Sequence, residues 1–250
     1  MNSLFFVEHL PEVAKTIISN AYNQKIVFSV LDKPDIPVPI HIHYIDATNC
    51  EIVMNNELSD EETSLVIELL KQVAVKYVYL ETPRLIIRPL KMADLPDYFL
   101  YSVQENVMDS AGDKTLSTME EAKKELSKYI RTGYTYAIIL KETNKFIGSI
   151  VFYRNNLDKF ELGFSINENY HRNGYAYEAT KSLIDFVTKK IHITEIFSRH
   201  FYGNTASEHL LLKLGFHFQK YSINSFFHLG RNAYVDTLDY IYKDKTNSLT

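Results

Sequence analysis

The fold is decided by one stretch of the sequence, Phe160-Glu-Leu-Gly-Phe-Ser-Ile166, which is followed by Asn-Glu-Asn-Tyr-His-Arg-Asn-Gly174-Tyr-Ala176. In the first part, large apolar residues alternate with small or polar ones, which is the period of a strand with one apolar face. After a polar turn, apolar residues recur at helical spacing as far as Val187, so we predict a helix from about Gly174 to Lys190.

The start of this predicted helix has the features of an anion site. A glycine at position 174 lets a ligand approach the backbone, and the first N–H groups of a helix are unpaired at the positive end of its dipole. Arg172 adds a positive charge, and no acidic residue lies between Tyr170 and Tyr177. We interpret the site as one for pyrophosphate, and the alternative is an ordinary strand-to-helix turn whose glycine only relieves strain.

A second informative segment is Asn204-Thr-Ala-Ser-Glu-His-Leu-Leu-Leu-Lys-Leu-Gly215-Phe216. Asn204 is a typical N-cap residue, and the leucines form an apolar stripe along the helix that follows. Gly215 with Phe216 is a helix stop accompanied by its hydrophobic contact. The segment therefore predicts a short amphipathic helix with defined ends.

Together these segments resemble the GNAT acetyltransferase superfamily, over roughly residues 81 to 245. The first matches the acetyl-coenzyme A pyrophosphate motif Gln/Arg-x-x-Gly-x-Gly/Ala, with histidine in place of Gln or Arg. The second matches the Asn-x-x-Ser-x-x-x-Leu-x-x-Leu-Gly-Phe signature of the branch that acetylates ribosomal-protein N-termini, and Glu81 to Leu90 with Asp94 resembles that branch's opening. The first match assigns cofactor contacts to His171, Arg172, Asn173, Gly174, Tyr175 and Ala176.

The resemblance implies an α/β (α+β) fold with a mixed, mostly antiparallel sheet and helices on both faces. The expected strands are 84–89, 134–140, 146–153, 158–166, 195–202, 217–228 and 232–242. The expected helices are 93–107, 118–131, 175–190 and 206–214. In the family two central strands splay apart, and the pantetheine arm of the cofactor pairs with backbone groups that correspond to Phe164 and Ile166.

Acetyl transfer to an amine requires a base, because a primary amine is largely protonated at neutral pH. Glu161 is the best candidate, since it is the only carboxylate on the polar face of the central strand, and it would act through water. The alternative is a structural partner for an adjacent loop. His200 is a reserve base, with a packing role as its alternative.

Other catalytic roles come from the resemblance. It places Ser207 near the coenzyme sulfur as acid or thiolate stabiliser, and Asn204 against the pantetheine or an ordered water; either residue could instead only cap the helix. The backbone N–H of Ile166 is the implied oxyanion donor. Cys50 lies outside the matched region and no Gly-x-Ser-x-Gly occurs, so we expect direct transfer in a ternary complex.

The amine acceptor is not determined by these residues. The resemblance places it against 93–133 and the C-terminal hairpin, where Glu105 and Asp109 could attract a cation. A protein N-terminus, an aminoglycoside-like drug, a polyamine and an amino acid all remain open. The aromatic residues available there are Tyr98, Tyr101, Tyr129, Tyr134, Tyr221, Phe226 and Phe227.

Composition favours a cytoplasmic enzyme. The chain has 250 residues, and its single cysteine excludes an intramolecular disulfide. Its formal net charge of −4 argues against nucleic-acid binding by bulk electrostatics. No apolar run reaches membrane-spanning length, so we expect no membrane partner. His41 and His43 share a strand face but have no predicted third ligand, so we expect no metal.

We divide the chain into a small N-terminal α+β module, residues 1–80, and an acetyltransferase domain, residues 81–250. The module is predicted to contain a helix at 11–22, a strand at 25–31, a hairpin of 40–47 with 50–55, and a helix at 59–77. Its role is open: it could shape the acceptor site, form a homodimer or recruit a protein substrate.

Two other function classes are considered. A sensor or scaffold that binds acetyl-coenzyme A would keep Gly174 and Asn204 but would have no working base. A nucleotide-binding protein could use the same helix N-terminus. The sequence lacks both the Gly-x-x-x-x-Gly-Lys-Ser/Thr loop and a Gly-x-Gly-x-x-Gly fingerprint, which argues against it.

Overall fold

The computed structural model divides into two compact units, residues 1–77 with 189–192 and residues 78–188 with 193–250. The separation into modules 1–80 and 81–250 stays a prediction. The structure describes residues 29–30, 40–44, 50–53, 75, 78–155 and 159–244.

The first unit contains a three-stranded antiparallel sheet of β1 (Ser29–Val30), β2 (Ile40–Tyr44) and β3 (Cys50–Val53). β2 lies between the other two strands, and its register with β3 pairs His41 with Val53. This confirms the predicted hairpin. Most of the predicted strand 25–31 and the predicted helices 11–22 and 59–77 lie outside the described residues.

The second unit is built on an eight-stranded sheet in the order β10-β11-β9-β8-β7-β6-β5-β4. Its neighbours are antiparallel except β8 and β9, which run parallel, so the predicted mixed, mostly antiparallel sheet is confirmed. The strands are β4 Leu80–Glu81, β5 Leu85–Pro89, β6 Thr135–Leu140, β7 Lys145–Arg154, β8 Phe160–Ile166, β9 Glu195–Phe201, β10 His217–His228 and β11 Ala233–Lys243.

Five α-helices lie in the described part of this unit: α1 Leu95–Ser102, α2 Glu105–Ala111, α3 Met119–Thr132, α4 Tyr175–Lys189 and α5 Thr205–Lys213. The single helix predicted over 93–107 is wrong, because α1 ends at Ser102 and α2 begins at Glu105. Between them, Gln104 has an extended backbone, and its side chain donates to Asn167 Oδ1 at 3.0 Å and accepts from the Glu168 N–H at 3.0 Å. These long-range bonds oppose a continuous helix.

Helices cover both faces of the sheet. Every residue of β6 is buried, which requires apolar cover on each side because successive side chains point to opposite faces. Ala137 and Ile139 pack in a cluster with apolar residues of α1, α2 and α3. α4 has its own buried stripe, which includes Ala179, Leu183 and Val187.

An ion pair fixes the end of β5 to the start of α1. Arg88 Nη1 and Nη2 donate to the two carboxylate oxygens of Asp94 at 2.9 and 2.6 Å, and the Lys91 N–H donates to Asp94 Oδ2 at 2.8 Å. Only 7% of Asp94 is exposed. Because the carboxylate is almost fully desolvated, its three bonds fix the direction in which α1 leaves the sheet.

We expect Asp94→Asn to lower the free energy of unfolding by about 2 kcal/mol, because an amide cannot accept all three bonds and leaves Arg88 partly unpaired. Urea denaturation followed by circular dichroism would measure this change. The matched control is Glu120→Gln on the exposed first turn of α3, for which we expect less than about 0.5 kcal/mol. Equal losses in the two variants would contradict the prediction.

Candidate active site

The central feature of the second unit is a gap between the parallel strands β8 and β9. Their ladder pairs only Phe160 to Leu162 with Ile196 to Ser198. Past this point β8 remains paired with β7 as far as Ile166, while β9 remains paired with β11 as far as Phe201. The two strands therefore diverge, and the Ser198 hydroxyl donates to the Leu162 carbonyl at 2.8 Å where they separate.

Backbone polar groups of β8 face this gap. The Asn167 N–H donates to the Ile147 carbonyl at 2.9 Å, which identifies residue 167 as a hydrogen-bonded position of the antiparallel β7–β8 ladder. Such positions alternate along a strand, so the N–H and C=O groups of Phe164 and Ile166 point away from β7. They point toward β9, where the parallel ladder has already ended.

Close packing of β7 on β8 depends on Gly148. A Cβ atom at this position would lie 2.3 Å from the carbonyl oxygen of Ser165 and 2.9 Å from the Cα of Ile166. Any side chain would therefore push β8 away from β7 and into the gap.

The turn that follows β8 leads directly to the N-terminus of α4. His171 Nε2 lies 2.7 Å from the Ile166 carbonyl oxygen, so the histidine ties the turn to the end of the strand. Gly174 has φ +78°, and among the described residues a Cβ atom there would meet only Arg84 Nη2, at 3.6 Å, within 4 Å. The backbone before Tyr175 is therefore accessible to a ligand, and α4 begins at that residue. Arg172 is exposed with φ +61°.

The Glu178 carboxylate, in the first turn of α4, is neutralised by Arg84, and the sequence did not indicate this pairing. Glu178 accepts from Thr82 Oγ1 at 2.6 Å, from the Arg84 N–H at 3.1 Å and from Arg84 Nε at 2.7 Å. Burial raises its pKa, but these bonds outweigh burial and hold it below its usual value. Arg84 also donates to the Asn173 carbonyl at 3.0 Å, and its guanidinium lies 4.5 Å from the centre of the Tyr175 ring.

The predicted N-cap at Asn204 is confirmed, since its Oδ1 accepts from the Ser207 N–H at 3.1 Å at the start of α5. The Ser207 hydroxyl makes no hydrogen bond within the part of the chain that the structure describes. Ser207 lines a cavity, so its hydroxyl is available to a ligand. The catalytic roles proposed for Asn204 and Ser207 stay predictions.

This cavity has a volume of about 210 Å³ and brings several predicted site residues together. Glu161, Phe164, His200 and Ser207 line it, whereas Ile166, Asn204 and residues 171–176 do not. Gly163 also leaves space in the cavity, because the nearest atom of the described residues to a Cβ added there is Val151 Cβ at 4.0 Å.

The hydrogen-bond partners of Glu161 include Arg199 in the cavity wall and Asn155 outside it. Its Oε1 lies 2.9 Å from Arg199 Nε, and its Oε2 accepts from Arg199 Nη2 at 3.1 Å and from Asn155 Nδ2 at 3.1 Å. Burial, reinforced by the adjacent Glu161, raises the pKa of Tyr153. The bond between Glu161 and Asn155, in the loop after β7, matches the alternative that Glu161 is a structural partner. The role of Glu161 as base stays a prediction.

His200 is a second candidate base. It is 5% exposed, its Nδ1 lies 3.0 Å from the Phe201 carbonyl oxygen, and its ring centre lies 5.2 Å from that of Tyr240. Its Nε2 has no hydrogen-bond partner among the residues that the structure describes. An unpaired buried nitrogen that belongs to a cavity-lining side chain is a candidate contact for a bound molecule.

The two carboxylates expected to attract a cation are not in the cavity wall. Asp109 is bound by Arg231 through bonds of 2.9 and 2.5 Å, and Glu105 is exposed at the start of α2. Asp113 lines the cavity instead. Burial, with Glu125 nearby, raises the pKa of Asp113 to about 6.

Sequence reasoning therefore missed Asp113 and Glu125. Glu125 and Tyr129 are four residues apart on the predicted helix 118–131, so helical spacing could have indicated that they share a face. Nothing in the sequence near Asp113 gives a comparable signal, since it follows the end of α2 in a loop.

Two other features, a cluster of metal ligands and a membrane-spanning helix, are absent from the described ranges. Residues 78–155 and 159–244 with the shorter described segments contain no group of three His, Cys, Asp or Glu side chains arranged to hold a metal ion. Among the same residues, no helix combines the length and apolar character needed to cross a membrane.

Residues 84–217 match the family described as acetyltransferase (GNAT) domain. The uncharacterized N-acetyltransferase YnaD of Bacillus subtilis (strain 168) is 28% identical over 140 residues, which are 55% of this chain and 82% of that protein. A GNAT-family acetyltransferase structure from Bacillus anthracis superposes with a TM-score of 0.60 at 23% identity, covering 66% of this chain and 98% of the other.

Spermidine N-acetyltransferase from Vibrio cholerae, solved with CoA and spermine, superposes with a TM-score of 0.55 at 17% identity, covering 65% of this chain and 96% of the other. At these identities the structural likenesses show the fold alone. The family match spans more than half of the 250 residues and includes β5, the diverging strands and α4. The chain therefore belongs to the GNAT acetyltransferase family and is an acyltransferase of the N-acetyltransferase class.

Proposed function

We propose that this chain transfers the acetyl group of acetyl-CoA to a primary amine by direct attack in a ternary complex. The observation that carries the proposal is the gap between β8 and β9, which opens beside the turn into the N-terminus of α4. Such a gap exposes strand backbone groups that can pair with an extended amide-containing arm, and the helix N-terminus suits pyrophosphate.

The residues present fit this co-substrate. The backbone groups of Phe164 and Ile166 face the gap and can exchange hydrogen bonds with the two amides of pantetheine. The N–H groups of 172–176 and the guanidinium of Arg172 can contact pyrophosphate, because Gly174 leaves their approach open. A relative of the same fold, spermidine N-acetyltransferase, was solved with CoA.

For amine activation we propose Glu161, acting through a water molecule. Its carboxylate lies in the wall of the cavity next to Gly163, at the start of the gap. The bidentate bonds from Arg199 orient the carboxylate, and one carboxylate has enough lone pairs to accept a further bond from water. The proton released from the ammonium would pass through that water to Glu161.

For the later steps we propose the Ile166 N–H and the Ser207 hydroxyl. The Ile166 N–H points into the gap and can stabilise the oxyanion of the tetrahedral intermediate. The Ser207 hydroxyl can donate to the sulfur that leaves as a thiolate. Asn204 fixes the first turn of α5 and so holds Ser207 in place.

We expect Ser207→Ala to lower kcat about tenfold and to leave the melting temperature nearly unchanged, because Asn204 caps α5 through the backbone of residue 207. The effect is below the roughly 100-fold or more typical of general acids. A thiol with a pKa of about 8.5 is already a good leaving group. The rate of CoA release with a primary amine as acceptor would measure it.

The control for this variant is Thr205→Ala, which removes an exposed hydroxyl from the same helical turn. We expect its kcat to match that of the unmodified chain. If both variants lose activity equally, the loss comes from the stability of α5 and the proposed role of Ser207 is incorrect.

One observation favours a second candidate, a sensor or scaffold that binds acetyl-CoA without efficient transfer. Glu161 already accepts bonds from Arg199 and Asn155, so a structural role alone could account for it. A panel of primary amines with acetyl-CoA, analysed by mass spectrometry for acetylated products, tests the two candidates. Acetyl-CoA binding without any acetylated product would favour the sensor.

A further inference from the structure

The cavity described above has an end formed by three tyrosines and one carboxylate, and a second carboxylate outside the lining is hydrogen-bonded to two of these tyrosines. Tyr98, Tyr101 and Tyr129 line it together with Asp113, and the Glu125 carboxylate stands beside two of the tyrosine hydroxyls. Tyr98 and Tyr101 are 4% and 5% exposed. We call this set the tyrosine-carboxylate end.

Glu125 is held by donors that carry no charge. It accepts from the Tyr98 hydroxyl at 3.2 Å and from the Tyr129 hydroxyl at 3.4 Å. Burial raises the pKa of Glu125, while these two hydroxyl groups act in the opposite direction. The hydrogen bonds therefore orient the carboxylate but do not neutralise it.

Asp113 differs from Glu125 because no tyrosine hydroxyl donates a hydrogen bond to it among the described residues. Its carboxylate makes no hydrogen bond and no ion pair within the described part of the chain. Burial raises its pKa to about 6, the charge of Glu125 adds to this effect, and Lys128, whose side chain is exposed, acts against it. Asp113 is half-buried, and a carboxylate that is partly removed from water and has no partner is stabilised when a cation binds to it.

The other charged residues of the cavity wall, Glu161 and Arg199, pair with each other. Outside the wall, Arg231 pairs with Asp109. The uncompensated charge is therefore negative and lies at the tyrosine-carboxylate end. Tyrosine faces also attract ammonium groups, which adds to the preference for a cation.

An independent observation comes from His200, which lines the same cavity on β9. It is 5% exposed, and its Nε2 has no hydrogen-bond partner among the described residues. A buried nitrogen of this kind indicates a missing polar ligand. The cavity volume of about 210 Å³ is below the roughly 300 to 1,000 Å³ typical of sites for drug-sized ligands, which argues for a small acceptor.

We propose that the acceptor is a small flexible amine with a second ammonium group, which Asp113 binds against the tyrosine rings, with the negative charge of Glu125 nearby, while the reacting amine lies at the gap between β8 and β9. This inference rests on the proposed acetyl transfer to an amine. It selects a di- or polycationic alkylamine over a protein N-terminus and over an aminoglycoside-like drug.

The test is calorimetric binding to the full chain loaded with CoA, with 1,4-diaminobutane, butylamine and an uncharged-side-chain tripeptide amide as probes. We expect 1,4-diaminobutane to bind at least about tenfold more tightly than butylamine, because only the diamine can fill both ends. We expect Asp113→Asn and Glu125→Gln to remove this difference. Equal affinities for the two amines, or tighter binding of the tripeptide, would overturn the proposal.

The matched control is Glu105→Gln, which removes an equal charge from the exposed start of α2 outside the cavity wall. It should leave the diamine preference unchanged, and loss of the preference there would show that only long-range charge is involved. Binding of acetyl-CoA, measured separately, reports whether each variant is folded. It also distinguishes failure of this inference, in which acetyl-CoA still binds, from failure of the proposed transferase function.

The pH dependence gives a second readout. Diamine affinity should rise between about pH 5 and pH 7 as Asp113 loses its proton, since only the charged form binds an ammonium well. Asp113→Asn has no group that ionises at this position and should flatten the rise. An identical rise in that variant would contradict the assignment. The titratable groups around Asp113 are Tyr101, Glu125, Lys128 and Tyr129.

Discussion

Gly174→Glu is expected to abolish acetyl-CoA binding, with a loss of about 100-fold or more. The glycine has φ +78°, where any residue with a Cβ atom costs roughly 1 to 2 kcal/mol. The new carboxylate would also stand beside the amides proposed for pyrophosphate, and like charges in contact cost several kcal/mol. Calorimetry with acetyl-CoA on the unmodified chain and on the variant measures the effect.

Two controls separate charge from strain in this experiment. Gly174→Ala keeps the strain without the charge, so we expect a loss of less than about tenfold. The nearest side-chain atom to its new Cβ, Arg84 Nη2 at 3.6 Å, lies at an ordinary contact distance. Circular dichroism must show that both variants are folded. Unchanged binding in the folded Glu variant would remove the pyrophosphate assignment at α4.

Glu161→Gln is expected to lower kcat by about 100-fold at neutral pH while acetyl-CoA binding is retained. The amide keeps the size of the side chain but cannot take a proton from the attacking amine, and general base catalysis is worth about 100-fold to 10,000-fold. Steady-state CoA release across a pH series measures this. In the plot of kcat/KM against pH, the variant should also lose the rise that comes from ionisation of the base.

Arg199→Gln distinguishes a base from a structural partner. If Glu161 is the base, removal of Arg199 leaves that carboxylate in the cavity wall, and kcat should fall by less than about tenfold. If Glu161 only holds Arg199 and the Asn155 loop, the two variants should lose the same activity and the same stability. Equal losses would transfer the proposed base role to His200, whose Nε2 has no partner among the described residues.

Local patterns in the sequence predicted most elements of the second unit. The helix expected from about 175 to 190 spans Tyr175–Lys189, and the helix expected over 206–214 spans Thr205–Lys213. Such elements depend on periodicity and on capping residues that lie within one or two turns. Asn204 was predictable as an N-cap for this reason, because both partners of its bond are three residues apart.

The break between α1 and α2 was not predictable in the same way. Gln104 bonds to Asn167 and Glu168, which lie 63 and 64 residues further along the chain. No helical period or turn motif near Gln104 reports on partners at that distance. Tertiary contacts overrode the local pattern, which read as one continuous helix.

The candidate site shows the same division. Sequence motifs identified Glu161, Gly174 and Ser207 as candidate site residues, since each lies at a recognisable position in a strand, a turn or a helix. The ion-pair partners near these residues are distant in sequence, so no local pattern indicated them. Arg199 pairs with Glu161, and Arg84 pairs with Glu178 in the helical turn after Gly174.

The sequence by itself determined the order of strands and helices, the family, and the candidate contacts of acetyl-CoA, because these depend on short-range periodicity and motifs. Only the tertiary structure decided which charges remain uncompensated. It paired Asp109 with Arg231 and placed Asp113, in the cavity wall, near Glu125. Burial and pairing of charges depend on residues that meet only when the chain is folded, and these two properties shift the pKa of a carboxyl group.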